Sequence, residues 1–399
     1  MTAGGQRLRL TRRGLSTLVP GAACVVLGGS WAYQGLLALG VGLVVAPALA
    51  LALLVFGGPV RGERRLGARE VSRGTSVTSV LDLSASRGAG GDAVRVVDRI
   101  DGAPLEVATT RPAPGRGVRV DYALPMVRRG VVTVGPVYAR TAGLCGLAAS
   151  TVQVAGVAEV RVVPRVLAAR VTSPTLRASL PGPQAAAELG GTDLAALHPY
   201  VPGDDLRRLH WATSARTGTL MVREDEEPGR ARVLVLLDDS AGGADPDLFE
   251  ECVDLAASLA AAALREGAVL RLATTSGRLD TEEADPPRGV AAVDRVGTDV
   301  LALLAAVDQQ PAGPQGGPRL AAGRRVRRGE GHHPDLAIAV CGSLAPLAPL
   351  VATLPLAGHS AVLRVDPAGE SGVSLLAGCV VARGPRAEDL AGLVATILP

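Results

Sequence analysis

The sequence has 399 residues, of which 48% are hydrophobic, 20% are charged and only 2% are aromatic. At about 150 residues per domain this length predicts two or three domains, and the apolar fraction can fill sizeable cores, which excludes a chain that is disordered throughout. The net charge is +3, every cationic side chain is an arginine, and the low aromatic content excludes base-stacking surfaces, so we expect no nucleic-acid partner.

Two uncharged apolar segments lie near the N-terminus, at residues 15–31 and 35–56. Each is close to the roughly 20 residues that a helix needs to cross a bilayer. A signal peptide is the competing interpretation of the first segment, but the second segment follows almost at once, which is typical of a tight helical hairpin. We therefore predict a two-helix transmembrane hairpin, with basic flanks, over residues 1–60.

Arginines flank this hairpin on both outer sides, whereas the residues between the two segments are uncharged. The positive-inside rule then predicts a multi-pass protein of the cell membrane with two spans, and with both termini and the soluble domains in the cytoplasm. The flanking arginines are Arg7, Arg9, Arg12 and Arg13 before the hairpin and Arg61, Arg64, Arg65 and Arg69 after it.

Residues 61–165 change character and predict a β-rich, sandwich-like domain. Short Val-rich segments alternate with Gly, Pro and Asp, as in an antiparallel sandwich. These segments lie at 76–83, 93–97, 118–122, 131–139 and 159–163. No residue in this region stands out as catalytic.

Residues 230–399 alternate between strand and helix patterns. Arg232–Leu237 is a continuous apolar run, as expected for a strand that is buried on both faces of a parallel sheet. The alternation predicts an α/β domain with helices on both faces of a mostly parallel sheet, interrupted by a mobile Gly/Pro/Arg-rich loop at 309–333. Further strands are predicted at 269–274, 336–341, 361–365 and 380–382. Helices are predicted at 247–265, 344–354 and 387–398, and residues 290–307 are predicted to form one helix or two.

The first strand of this domain leads directly into Asp238, Asp239 and Ser240. Ligands of open α/β sheets bind at the carboxyl ends of strands, and Mg²⁺ prefers carboxylates, hydroxyls and retained waters. The five residues 238–242 resemble the Asp-x-Ser-x-Ser metal-ion-dependent adhesion site of von Willebrand factor A domains, with Gly242 at the last serine position. This resemblance implies Thr298 as a further ligand.

The same resemblance implies an aspartate after a later strand, where the chain has Cys341, Gly342 and Ser343 instead. We therefore predict at most a degenerate Mg²⁺ site and no other cofactor. The alternative is that Asp239 or Ser240 caps the following segment and that Thr298 caps a helix. The five cysteines lie far apart in apolar sequence, which favours buried free thiols over disulfides or a metal site.

The most polar stretch of the chain, residues 197–223, contains one of its two tryptophans. Its order of residues closely resembles the signature of the family called domain of unknown function 58, and the hairpin, the Val-rich region and the α/β region agree with that family over nearly the whole chain. The residues that carry the resemblance are Tyr200, Gly203, Asp204, Asp205, Arg207, Arg208, His210, Trp211, Ser214, Arg216 and Thr217.

This resemblance implies a membrane-tethered protein whose Rossmann-type α/β domain is similar to von Willebrand factor A domains. It also implies a partner, a MoxR-type AAA+ ATPase, and a role in complex assembly or in cell-envelope processes, without an established enzyme activity. We therefore expect a protein-interaction module with residues 166–229 as a signature strap that leads into the α/β domain. A purely structural envelope-assembly scaffold is the alternative that the sequence cannot separate from it.

Two roles are open for the signature itself. Its arginines would offer bidentate donors to the carboxylates of a partner, or they would pair internally while Trp211 packs against the sheet as a buttress. The internal acidic partners would be Glu224, Asp225 or Glu226. Two enzymatic alternatives are a hydrolase triad around His210 and Ser214, which lacks a Gly-x-Ser-x-Gly elbow, and a metal-assisted hydrolase that uses Asp238.

Overall fold

The computed structural model describes residues 6–56, 60–84, 93–111, 117–171, 196–201, 209–224, 231–282, 290–310, 334–354 and 357–397. The chain divides into two compact units, Met1–Val163 and Pro164–Pro399. The first unit holds the N-terminal helices and the β-rich region, and the second holds the signature and the α/β region.

The first unit contains two N-terminal helices, α1 (Arg12–Ser30) and α2 (Gln34–Phe56). They pack closely because glycines lie at their contact. A Cβ atom at Gly28 would lie 2.5 Å from the Leu37 backbone nitrogen, and one at Gly40 would lie 2.6 Å from that of Val25. Small residues allow helix backbones to approach in this way, as is common where helices associate in membranes.

Of the described helices, α2 is the one that is long and apolar enough to cross a membrane by length and composition. An apolar N-terminal helix suited to membrane association is therefore confirmed. The second span and the cytoplasmic orientation stay predictions.

The β-rich region forms two sheets. One has the strand order β1-β10-β9-β5-β8-β11-β3, with β6 paired to β5, and the other has the order β2-β4-β7. The strands are β1 (Arg7–Leu10), β2 (Arg61–Leu66), β3 (Glu70–Ser72), β4 (Ser76–Ser84), β5 (Val94–Ile100), β6 (Ala103–Thr110), β7 (Gly117–Pro125), β8 (Gly130–Val134), β9 (Val137–Gly143), β10 (Ala148–Ala155) and β11 (Ala158–Val163).

The two sheets share apolar cores, because alternate residues of each strand point inward. Leu81 and Leu83 of β4 pack with Val94 and Val96 of β5 in one of these cores. The region is thus β-rich as predicted, with two differences. The predicted strand 131–139 is two strands, β8 and β9, separated at Gly135, and β1 was expected only as a basic flank of the hairpin.

A buried ion pair joins the two sheets. The guanidinium of Arg64 on β2 lies 3.4 Å from the carboxylate of Asp98 on β5, and both side chains are almost fully buried. Arg64 Nη2 also donates to the carbonyl oxygens of Val134 and Gly156, at 3.1 and 2.9 Å. The Tyr122 hydroxyl donates to Asp98 Oδ2 at 2.7 Å. These bonds satisfy both charges inside the core.

Gly135 makes room for this pair. It has a φ of +100°, and a Cβ atom there would lie 3.1 Å from Arg64 Nη1 and 2.5 Å from the Gly156 oxygen. A glycine is therefore required both by the backbone conformation and by the guanidinium beside it.

The second unit is built on a seven-stranded sheet of order β16-β15-β14-β17-β18-β20-β19. The five inner strands are parallel, and the two outer strands pair antiparallel to their neighbours. A separate two-stranded sheet pairs β12 (Ala196–Pro199) with β13 (Met221–Glu224). The strands of the large sheet are β14 (Arg232–Leu237), β15 (Val269–Thr274), β16 (Asp280–Glu282), β17 (Leu336–Gly342), β18 (His359–Val365), β19 (Gly372–Leu376) and β20 (Cys379–Gly384).

Helices cover both faces of the large sheet, as predicted for an α/β fold. Three of them share one core with alternate residues of the inner strands, and the fourth packs in the core on the other face with Leu236 and Ala339. The first three are α4 (Pro246–Arg265), α5 (Val290–Ala305) and α7 (Ala387–Ile397), and the fourth is α6 (Leu347–Thr353); α3 (Trp211–Thr217) belongs to the signature.

The chain enters the second unit as an extended strap, Pro164–Val171, that is bonded to α4. Arg165 donates from its backbone nitrogen and from Nε to the carboxylate of Asp254, at 2.9 and 2.7 Å, and from Nη2 to Glu251 at 2.8 Å. Further along, the Leu167 amide donates to the Ser258 hydroxyl at 2.8 Å. These polar contacts hold the strap against α4.

We expect Arg64→Met to destabilise the β-rich unit by about 3–5 kcal/mol, because it leaves the Asp98 carboxylate buried without its counter-ion. Hydrogen-exchange mass spectrometry of the full chain in detergent measures this loss as faster exchange of the β4, β5 and β7 amides. The matched control is Arg119→Met, which removes the exposed Arg119–Asp121 pair at 3.0 Å and should leave the exchange unchanged. Equal effects of the two substitutions would contradict a special role for the buried pair.

Candidate functional site

The described part of the signature folds as a small strand–helix–strand unit. β12 and β13 pair antiparallel, and the Tyr200 amide continues the pairing by donating to the Leu220 oxygen at 2.8 Å. The helix α3 lies between these strands and ends at Gly218, whose φ of +71° suits a glycine at a helix C-terminus.

His210 and Ser214 fix this unit through backbone contacts. His210 Nδ1 accepts a hydrogen bond from the Thr213 amide at 3.2 Å and thereby caps α3. The buried Ser214 hydroxyl donates to the His210 carbonyl at 3.0 Å and accepts from the Met221 amide at 2.8 Å. Because Ser214 bonds the carbonyl of His210 and not its ring, the two residues do not form the nucleophile–base pair of a hydrolase triad.

Trp211 does not pack against the sheet. It is the first residue of α3 and is 68% exposed, so its predicted role as an internal buttress is wrong. The contacts that hold α3 in place are made instead by His210 and Ser214 through backbone groups, and none of these hydrogen bonds involves the Trp211 ring. Arg216 and Thr217 are also exposed in the last turn of α3.

The remaining signature residues lie outside the described part of the chain, and their roles stay predictions. They are Gly203, Asp204, Asp205, Arg207 and Arg208. The acidic partners that the buttress interpretation proposed for the arginines also have no described side chains.

The second candidate site is the loop that follows β14, at the carboxyl edge of the parallel sheet. The Asp238 amide donates to the Val340 oxygen of the neighbouring β17 at 2.9 Å. On the other side, the Gln310 amide donates to the Asp239 oxygen at 2.7 Å, and the Ala241 amide donates to the Gln310 oxygen at 2.8 Å. The start of the predicted mobile loop is therefore bonded to this edge, while residues 311–333 lie outside the described residues.

Two hydroxyl residues that the sequence did not single out hold the carboxylates of this loop. Thr275, which directly follows β15, places its Oγ1 2.9 Å from Asp238 Oδ1 and 3.0 Å from Asp239 Oδ1. Ser276 donates to Asp239 from both its amide and its hydroxyl. The only sequence signal for them was their place at the end of a predicted parallel strand, beside the end of β14.

Burial raises the pKa of Asp238, and the neighbouring charge of Asp239 adds to this rise, whereas hydrogen bonds from Ser240 and Thr275 oppose it. The folded protein therefore binds a proton at Asp238 more tightly than the unfolded chain does. Its contribution to stability is favourable at low pH and is lost as the pH rises from the ordinary carboxyl pKa through the raised one.

The residues present do not fit an adhesion-type magnesium site. Asp238 and Ser240 lie together as predicted, but Thr298 is an exposed residue in the body of α5, on neither a loop nor a helix N-terminus. The predicted helix cap at Thr298 is thus wrong too, because the helix already begins at Val290. Among the described residues no group of three or more His, Cys, Asp and Glu side chains is placed to hold a metal ion.

The loop also fills its own crevice. A Cβ atom at Gly243 would lie 2.5 Å from Asp238 Oδ2, and one at Gly342 would lie 2.6 Å from the Gly243 oxygen. Because of this close packing, the Asp238 carboxylate lies against backbone atoms. Its contacts stabilise the loop conformation and leave little room for a ligand.

Residues 196–329 match the family model described as "Protein of unknown function DUF58". This chain contains a DUF58 domain. The predicted family is thereby confirmed over the signature and the first part of the α/β region. The DUF58 match includes both candidate sites, the signature unit and the Asp238 loop.

The DUF58 chain is also 41% identical, over 80 residues, to the uncharacterized protein YeaD of Bacillus subtilis. This match covers 20% of the chain and 19% of YeaD, so the chain aligns with about a fifth of the length of that relative.

Two solved structures show distant similarity to this chain. The CARDB domain of a Pyrococcus furiosus protein is similar over 26% of this chain and 88% of its own, with 12% identity and a TM-score of 0.21. The sporulation control protein Spo0M of Bacillus subtilis is similar over 36% of this chain and 58% of its own, with 13% identity and a TM-score of 0.16. At these TM-scores neither structure informs the function of the DUF58 chain.

The two carboxylates of the loop should respond oppositely to neutralisation. Asp238→Asn removes a buried charge whose pKa is raised, and we expect higher thermal stability near pH 7 and a gain that shrinks as the pH falls toward about 4. Asp239→Asn weakens the bonds that the Ser276 amide and hydroxyl donate to this carboxylate, and we expect a loss of about 1–3 kcal/mol. Calorimetric unfolding of the full chain in detergent at both pH values tests this, and stabilisation by both substitutions would contradict it.

Magnesium should not bind at this loop. Calorimetric titration of the full chain with Mg²⁺ is expected to give no saturable heat, and the same result is expected for Asp238→Asn. A saturable heat that Asp238→Asn abolishes would show that the adhesion-type site survives despite the loss of Thr298 and of the later aspartate.

Proposed function

We propose that this DUF58 chain is a membrane-anchored protein-interaction module whose partner is a MoxR-type AAA+ ATPase, acting in complex assembly or in cell-envelope processes. The observation that carries the proposal is the exposed Trp211 on a helix whose backbone is held rigid. The alternative use of the chain as an enzyme has less support, since His210 and Ser214 bind backbone groups and Asp238 faces its own loop.

The anchoring part of the proposal assigns α1 and α2 as two spans with both ends and the soluble units in the cytoplasm. It is supported by the apolar length of α2 and by exposed Arg12 and Arg13 in the first turn of α1. Exposed Trp31 and Tyr33 lie at the turn between the helices, where amphipathic rings suit the opposite membrane interface.

We assign the α/β region to the von Willebrand factor A type. Support comes from its parallel inner strands, its helices on both faces, and an Asp-rich loop at the carboxyl end of the first strand. In this proposal the loop keeps the architecture of an adhesion site while its ligands are lost, so the domain binds a partner without using a metal ion.

The docking surface in this proposal consists of exposed residues of α3 and of the segment between α3 and β13, namely Trp211, Arg216 and Leu220. Tryptophan and arginine dominate the energetic centres of protein interfaces, because both bury large areas and still offer polar contacts. The cap by His210 and the hydrogen bonds of Ser214 hold the helix in place before binding, which lowers the entropic cost of association.

Trp211→Ala should weaken binding of the purified ATPase by roughly 30-fold, the factor that corresponds to a hot spot of about 2 kcal/mol. Biolayer interferometry with the full chain in detergent or nanodiscs measures the affinity, and hydrogen exchange in α4 checks that the fold is kept. Leu344→Ala is the matched control, because Leu344 is a similarly exposed apolar side chain in the same unit, at 69%. Unchanged binding by Trp211→Ala would place the interface elsewhere, and no binding by the unmodified chain would refute the ATPase as partner.

A further inference from the structure

A row of arginines crosses the eight-stranded sheet of the first unit. The strand register pairs Arg7 of β1 with Thr151 of β10, Thr151 with Arg140 of β9, and Arg140 with Arg95 of β5. Directly paired residues of neighbouring strands lie on the same face of a sheet, so these side chains form one line across four strands. Arg9 lies two residues from Arg7 and therefore on the same face.

This face is the outer one. The alternate residues of the same strands point the other way, where Ala148 of β10 packs in a small core with Ala50 and Leu54 of α2. Gly143 of β9, which pairs with Ala148, also faces Leu54. The last turns of α2 thus lie against the inner side of the sheet, and the arginine face, defined as Arg7, Arg9, Arg95 and Arg140, is turned to solvent.

The arginine face is adjacent to the start of the helical hairpin. β1 runs directly into Thr11, which caps α1 and whose amide donates to the Leu147 oxygen next to β10 at 3.0 Å. At about 3.4 Å per residue, Arg9 and Arg7 lie roughly 7 and 14 Å along the strand from Thr11. Arg12 and Arg13, exposed in the first turn of α1, extend the positive charge toward the bilayer.

The charge of this face is nearly unopposed. All four arginines are exposed, and within the described residues the acidic side chain that pairs with one of them is Glu106, 3.5 Å from Arg95. Arg7, Arg9 and Arg140 present guanidinium groups that can bind phosphate oxygens in a bidentate manner. Basic residues just cytoplasmic of a membrane helix lie within the negative electrostatic potential of an anionic leaflet. This potential decays over about one Debye length, which is 8–10 Å.

We propose that the arginine face binds the anionic phospholipid headgroups of the membrane that the hairpin enters. The proposal rests on the membrane anchoring proposed above and adds a second contact, which holds the β-rich unit against the lipid surface. The sequence showed only the basic flank of the hairpin, whereas the strand register brings in Arg140 and Arg95, more than 75 residues further along the chain.

The test uses the full chain, reconstituted into nanodiscs of phosphatidylcholine alone or of phosphatidylcholine with phosphatidylglycerol. An arginine-selective dicarbonyl reagent, followed by mass spectrometry, measures the reactivity of each guanidinium. We expect Arg7, Arg9 and Arg140 to react roughly fivefold more slowly with phosphatidylglycerol present, the factor for about 1 kcal/mol per arginine at an anionic surface. High salt should remove this protection, because the Debye length falls to about 3 Å at 1 M.

Exposed arginines elsewhere serve as internal controls, with Arg119 on β7 and Arg265 on α4 expected to react equally in both lipids. Equal reactivity of Arg7, Arg9 and Arg140 in the two lipids would overturn the proposal, and so would the same protection at Arg119. Alkaline extraction of reconstituted vesicles distinguishes this failure from a failure of anchoring. A chain that resists extraction but shows no lipid-dependent protection refutes the arginine face alone, whereas a chain that is extracted refutes the anchoring and the arginine face together.

Discussion

The carboxylate of Asp254, which is paired with Arg165, ties the start of the second unit to α4. It is fully buried on α4, the helix that packs on the centre of the large sheet, among apolar residues of the same helix. Burying an unpaired carboxylate costs several kcal/mol, and Arg165 supplies a charged partner for Asp254 at 2.7 Å. Arg165 is the second residue of the second unit, so the same bond holds the start of this unit on α4.

The core of the first unit also contains buried charges, those of Arg64 and Asp98. Arg64 and Asp98 come from different sheets, and neither can be buried alone, so the two sheets can face each other in one arrangement that satisfies both. Apolar contacts supply most of the stabilisation in such a sandwich, but they are tolerant of sliding. The ion pair, which fits beside Gly135, restricts the sliding of the two sheets. In both units, therefore, a polar contact selects among arrangements that apolar packing alone would allow.

Much of the α/β sheet could be predicted from the sequence, because its central strands are short apolar runs between turns. Arg232–Leu237 and Val269–Thr274 have the predicted bounds. Contacts between distant residues could not be predicted in this way. The bonds of Thr275 to the Asp238 loop depend on strand order. The loop position of Thr298 came only from the resemblance to an adhesion site, whereas α5 continues through this residue. β1 is a four-residue segment beside the hairpin, and its pairing with the distant β10 stabilises it.

The two candidate sites differ in what their polar groups face, and this difference decides where a partner can bind. At the Asp238 loop the carboxylates, hydroxyls and amides bind one another, so a ligand would have to break hydrogen bonds that are already made. At the signature, His210 and Ser214 bind backbone groups in a similar way, yet the side chain beside them, Trp211, is left in water. Exposing a tryptophan forgoes the largest apolar burial that any side chain offers, and none of the internal contacts of α3 requires it. The exposed position of Trp211 is explained if another molecule buries its ring. The functional surface of the domain would then be the signature helix and not the carboxyl edge of the sheet.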